Sequence, residues 1–301
     1  MKIILSRKGF DSTEGGYPSP IDQEGNMMSF PIPGGKSPAP YSSITSPLGD
    51  MGQVVQQLSK GKIKSHFAAH LDPDLSPYAR PRKPGWLASL GQTGAAQSHL
   101  AAQKVQPGDV FLFFGWFRQV QCVDQVWSYV PKAPQQHVLF GYLQIGESLH
   151  IGAQPNIDQI LNYRPWLHDH PHMMGRRQDN NTLHIASEKL IINGRDTGLP
   201  GAVSFDRFDP RLVLTAPNCS KSVWAVPEWL HPDFGLSPLS YHADPTRWFE
   251  QNGKTMLRTV AKGQEFVFDI KDNHQALAWV HGLAQLAQPA PKASQSRKIT
   301  V

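Results

Sequence analysis

The segment GDVFLFFGWF, residues 108–117, limits the possible folds more than any other part of the chain. After Gly108 and Asp109 come large apolar side chains with almost no polar interruption. A strand of that composition belongs to a core. A second apolar segment, HVLFGYLQIGE (137–147), follows, and the intervening RQVQCVDQVWSYV alternates like a half-exposed hairpin. The two apolar segments are therefore expected to pair antiparallel. Gly108 can take a positive φ, and the Asp109 carboxylate can accept bonds from turn amides. Upstream, residues 92–103 carry Ala and Leu at helical spacing, ended by QPGD.

The remaining elements are shorter. KIILS reads as a buried N-terminal strand, and TLHIAS, AVSFD, RLVLTA and QEFVFDI as further strands between turns. GQVVQQLSK (52–60), DPTRWFEQN and DNHQALAWVHGLAQLAQ read as helices, the last capped by Asp272 or Asn273. Residues 9–51 and 70–86 are rich in Gly, Pro and Ser, and long irregular stretches of that kind are functional or disordered. The order of elements implies an α+β fold with an antiparallel sheet or barrel core. One domain over residues 1–288 is expected, followed by a disordered basic tail, 289–301.

An apolar content of 40% in 301 residues allows a sizeable core. The net charge of +5, from 29 basic and 24 acidic residues, permits contact with phosphates without demanding it. Two distant cysteines, Cys122 and Cys219, form no disulfide scaffold and read as reduced thiols. The N-terminal apolar run spans only Ile3 to Leu5, and no run reaches membrane-spanning length. The chain is accordingly expected to be soluble and cytoplasmic. Walker A, G-x-S-x-G, H-E-x-x-H and C-x-x-C motifs are absent from the sequence.

Five stretches carry candidate chemistry. In LSRKGFDSTEGG, Arg7 and Lys8 leave a core strand where they could clamp a phosphate, and Asp11 could act as base or acceptor. In HLDPDL, His70, Asp72 and Asp74 alternate and would share one face of an extended chain, suited to acid–base work or to a cation. In HDHPH, His168, His170 and His172 repeat at every second residue. A zinc or iron site is geometrically possible there, but a Pro-containing surface loop explains the motif as well, so the three are expected not to bind one ion together. On the aromatic strand, Phe114 and Trp116 share a face that could stack a base, with Arg118 beyond them. Gln92, Gln97 and His99 could read base edges. Glu265, with Arg7 and Ser240, has the Arg–Ser–Glu order of ADP-ribosyltransferases, but three residue types in order over a whole chain are unspecific, and an outward Gln–Glu pair on a strand is the preferred reading. No particular cofactor is indicated.

Two resemblances sharpen this picture. GQTGAAQSHL, GDVFLFFGWF and HVLFGYLQIGE resemble the helix, Gly-Asp turn and paired strands of PUA-like domains, including EVE domains. That likeness implies an antiparallel β-barrel core over about residues 88–150, with a pocket for a flipped or modified base. Over nearly the whole chain, LSRKGFDSTEGGYPSPI, HLDPD, GQTGAAQSHL, PGDVFLFFGWFR, HPH, LSYH and GQEFVFD resemble the bacterial and phage family named nucleotide modification associated domain, type three. The resemblance implies DNA or a nucleotide as partner and recognition of a modified or flipped base. The alternative is an enzyme acting on that base or a nucleotide precursor. In either case Arg7, Asp11, Gln92, Gln97 and His99 are expected to meet in one cleft.

Overall fold

The computed structural model describes residues 1–35, 37–152, 157–174, 178–234, 237–261 and 263–287. Nine strands form the main sheet. In chain order they are β1 (Lys2–Arg7), β2 (Ser19–Ile21), β3 (Ser89–Gln92), β4 (Val110–Val123), β5 (Val126–Tyr129), β6 (Gln136–His150), β7 (Thr182–Ala186), β8 (Ala202–Ser204) and β9 (Glu265–Asp269). Their spatial order is β9–β1–β4–β6–β7–β3, with β2 and β5 beside the far half of β4 and β8 beside β6. The helices are α1 (Met51–Leu58), α2 (Gly94–Ala102), α3 (Ile157–Tyr163) and α4 (His274–Gln285).

The apolar segments pair antiparallel as expected, with Phe114 opposite Leu139 and Leu112 opposite Tyr142. The segment between them folds back as the β4–β5 hairpin, Val120 opposite Tyr129. The antiparallel barrel is not what forms. β1 lies parallel to β4, Ile3 beside Val110 and Arg7 beside Phe114. The sheet is thus mixed, and its strand path ends at β9 and β3 without closing among the described residues. Asp109 helps to fix the parallel join. One of its carboxylate oxygens accepts the Lys2 N–H at 2.7 Å and the other accepts the Gln106 N–H at 2.9 Å.

Both faces of the central strands are covered, which is why β4 begins with six buried residues in succession. Phe111 and Phe113 stack with ring centroids 5.8 Å apart. On the other face Phe114 meets Trp224 edge-on at 4.9 Å. Trp224 belongs to a small antiparallel sheet of Val223–Val226, Lys254–Arg258 and Trp248–Gln251. Leu277, Val280 and Leu283 of α4 join the same core, and Asn273 caps that helix. Each fully buried large apolar side chain contributes about 1.5–3 kcal/mol.

The Gly- and Pro-rich N-terminal third packs around α1 through a second core of Phe10, Phe30, Tyr41, Val54, Val55 and Leu58. DPTRWFEQN is not a helix. Asp244 caps a single turn, Pro245–Arg247, and the chain then enters a strand. RLVLTA gives a turn at Pro210–Leu212 and isolated bridges at Val213 and Thr215 in place of a strand. The expected disordered tail lies outside the described residues. No helix among the described residues is long and apolar enough to cross a membrane.

Candidate functional site

At the carboxyl end of β1 the chain opens a polar cavity of about 330 Å³. Distant segments line it. Arg7, Lys8 and Asp11 come from the end of β1, and His70 and Asp72 from the short Ala69–His70 strand and the loop after it. Gly91 and Gln92 come from β3, and His172 and Asn181 from the chain before β7. A second, more apolar cavity of about 400 Å³ lies against Met28, Leu75 and Phe140 and shares Gly9 and Asp72 with the first.

Asp72 is the centre of the polar cavity. Its side chain is only 5% exposed. One carboxylate oxygen, Oδ1, accepts the Gly91 N–H at 2.8 Å and lies 3.8 Å from His170 Nε2. The other, Oδ2, lies 3.3 Å from His172 Nε2 and 3.8 Å from His70 Nε2. Burial alone would push this carboxyl group up. The imidazoles of His172, His70 and His170 outweigh burial and hold it well below the usual carboxylate range. His170, deeply buried, is pushed down to about 3 by desolvation. For His172 burial acts downward, but contact with Asp72 and Asn181 leaves its pKa raised.

Two glycines make room for this cluster. A Cβ on Gly91 would stand 2.2 Å from the His172 ring, and one on Gly34 would stand 2.7 Å from His70 Cβ. His70, Asp72 and His172 each offer one ligand-type atom, and those atoms lie within 4.8 Å of one another. Two imidazole nitrogens and one carboxylate oxygen form a donor set suited to a divalent transition metal.

Beside the cluster sits a buried ion pair. Lys8 Nζ donates to Glu265 Oε1 at 2.9 Å, and Gln92 Nε2 donates to the same oxygen at 2.5 Å. Glu265 Oε2 is buried without a hydrogen-bond partner. Asp11 Oδ1 accepts the amides of Thr13 and Glu14, both at 2.7 Å. Arg7 donates to the carbonyls of Val260 and Ala261 at 3.1 and 3.0 Å, and its guanidinium lies 5.8 Å from the rings of both Phe114 and Phe266.

The expected shared cleft therefore assembles in part. Arg7, Asp11 and Gln92 line it, joined by Lys8, His70 and Asp72. Gln97 and His99 do not line it. The first meets His184 Nε2 at 3.3 Å and the second Ser240 Oγ at 3.0 Å. Asp74 turns away and is clamped by Arg82 through two bonds of 2.6 Å. His168 is exposed on a short helical turn. Phe114 is core, and Trp116 lies under Lys221, whose Nζ is 4.3 Å from its ring centre. Arg118 donates to the Val130 carbonyl at 2.9 Å.

A family model described as nucleotide modification associated domain 3 matches residues 2–269, nearly the whole described chain. The chain belongs to that family. Every residue of the polar cavity named above falls inside the family's span. No curated protein and no solved structure matched the chain.

Gly91 and Asn181 were not among the sequence candidates, and Glu265 was weighed only as part of an Arg–Ser–Glu order and set aside. Glu265 reads as an outward residue on a strand, yet it is 1% exposed because Lys8 and Gln92 face it. A Lys directly after an apolar strand and a Glu opening another apolar strand were the available signal. Asn181 carries no sequence signal of this kind.

Proposed function

We propose that the protein catalyses a step in nucleotide or DNA-base modification, with the base or nucleotide seated in the polar cavity. The observation that carries this reading is the buried, ionised Asp72 held among three imidazoles at the wall of a ligand-sized space. Protein interiors rarely hold a charge without a use for it, and such perturbed groups gather at functional sites. A cavity of about 330 Å³ lies within the size range of small-molecule sites. It suits a single nucleotide, or a base extruded from a helix.

In this reading Asp72 and the adjacent imidazoles handle protons or a metal, and Lys8 with Glu265 fixes one wall. Asp11, with one oxygen uncommitted, accepts from the sugar or base. The reading that the protein only recognises a modified or flipped base loses support from the placement of its stacking residues. Phe114 is sealed in the core and the Trp116 ring is covered by Lys221, so neither offers a platform in this cavity.

The test is nucleoside mass spectrometry of DNA and of the nucleotide pool from cells expressing the wild-type chain or His70→Gln. A mass change present with the wild type and absent with the variant is the expected result. Tight binding of the pure protein to DNA or nucleotides, with no mass change in either pool, would leave recognition as the function.

A further inference from the structure

The hydrogen-bond directions around His172 show what the cluster lacks. Asn181 Nδ2 donates to the His172 carbonyl at 2.9 Å. That contact fixes the amide orientation, since the flipped amide would set two acceptors against each other. Asn181 Oδ1 therefore faces His172 Nδ1, at 2.8 Å, and Nδ1 must carry the proton. Nε2 in turn faces Asp72 Oδ2 across 3.3 Å. A cation belongs between that nitrogen and that oxygen, either a proton on the ring or a metal ion.

The distances say the same of His70. Its Nε2 lies 3.8 Å from Asp72 Oδ2, beyond hydrogen-bond reach. Ligand atoms held about 2.0–2.2 Å from one ion are spaced about 3.0–3.6 Å from each other. The gaps of 3.3 and 3.8 Å fit that spacing to within a few tenths of an ångström, while the longer one fits no direct bond. A second sign is His170. Its side chain is 3% exposed, and Nε2 points at Asp72 Oδ1 from 3.8 Å without a partner. Its Nδ1 accepts the His172 N–H at 3.2 Å, so Nε2 carries the proton, and His170 orients the carboxylate instead of ligating. An oriented carboxylate, and a histidine whose far nitrogen is held by an amide oxygen, are the outer contacts that metal-ligating residues typically show.

We propose that His70, Asp72 and His172 bind one divalent transition-metal ion, through one nitrogen of each imidazole and a carboxylate oxygen, with its open positions facing the polar cavity. The ion would come from the class that takes mixed nitrogen and oxygen ligands, zinc or iron(II) foremost. The proposal rests on the reading above only for what the ion does, namely polarise or activate a group of the bound nucleotide.

The test is metal uptake by the full chain, stripped with chelator and dialysed against cobalt(II) as the probe. One cobalt per chain is expected, with visible ligand-field bands. His70→Ala and His172→Ala should each abolish them while the far-ultraviolet circular dichroism stays native. Asn181→Ala should weaken binding about 10–100-fold. His168→Ala, on the surface, should change nothing. A native wild-type chain that takes up no cobalt, zinc or iron(II) overturns the proposal and leaves His172 as an imidazolium paired with Asp72. Uptake that survives both His70→Ala and His172→Ala overturns it as well. The two proposals fail separately. Stoichiometric cobalt without any change in nucleoside mass defeats the reaction and not the metal site. A mass change catalysed by a native chain that takes up no cobalt, zinc or iron(II) defeats the metal site and not the reaction.

Discussion

Histidines are buried in two regions of this molecule, and their surroundings differ. In the core, His137 Nδ1 accepts the Trp224 indole N–H at 3.0 Å, and the ring packs edge-on against Phe114 at 5.3 Å. His184 has Ser148 Oγ 2.9 Å from one ring nitrogen and Gln97 Oε1 3.3 Å from the other. Burial lowers the pKa to about 3 for His137 and about 4 for His184, so both stay neutral. At the end of β1 the pattern breaks. His172 has one nitrogen satisfied and the other aimed at a carboxylate oxygen, and His170 has a buried nitrogen with no partner. In the core, His184 finds a partner for each ring nitrogen and His137 finds one for Nδ1, all of them neutral groups. At the end of β1 the imidazoles instead converge on a buried carboxylate.

Substitutions can break this contrast. The largest effect is expected at the cluster. Asp72→Asn removes the charge that the three imidazoles surround, and product formation in the nucleoside assay should fall about 10²–10⁴-fold, the usual contribution of a positioned acid–base group. In the core, His137→Ala should leave metal content unchanged but cost about 2–4 kcal/mol in denaturant unfolding. It orphans the Trp224 indole N–H and opens a gap beside Phe114.

Acid sharpens the same distinction. The native pKa values of about 3 for His137 and about 4 for His184 lie below the unfolded value of about 6.5. The unfolded chain therefore takes up protons that the native state refuses. Stability is full above pH 6.5 and is lost as pH falls toward 4, by about 1–2 kcal/mol per histidine between pH 6.5 and 5. Thermal unfolding across that range measures it, and a flat profile would show these rings to be exposed or paired with charge. Gly91→Ala should act on the site alone. Its Cβ would displace His172, lowering cobalt affinity about tenfold with little change in melting temperature. The smallest effect belongs to His168→Ala, expected within about 0.5 kcal/mol of the wild type in stability and equal to it in metal uptake.

The same contrast explains what could be read from the sequence. The central strands were legible because burial on both faces demands unbroken apolar runs such as VFLFF, and α4 was legible from its periodicity and Asn273. The parallel join of β1 to β4 was not, since it depends on Asp109 reaching a residue 107 positions away. The strand at Trp248–Gln251 was misread although its signal was present. Asn252 and Gly253 both have positive φ, the Asn-Gly hairpin turn that reverses the chain into Lys254–Arg258.

At the site, local alternation suggested two triads, His70–Asp72–Asp74 and His168–His170–His172. Each broke because its segment turns instead of running extended. Asp74 goes to Arg82, and His168 and His172 sit on successive short helical turns with His170 capping both between them. The cluster takes His70 and Asp72 from one motif and His172 from the other, a union that only the tertiary fold makes.

The most direct test of the account is the protonation of the two His172 ring nitrogens. It can be read from long-range proton–nitrogen NMR spectra of zinc-loaded protein labelled at histidine, with His172→Gln supplying the assignment. The account predicts a proton on Nδ1 and none on Nε2, with the Nε2 shift moving when zinc is removed. Protons on both nitrogens at neutral pH, unchanged by zinc, would identify a plain imidazolium–carboxylate pair and contradict it.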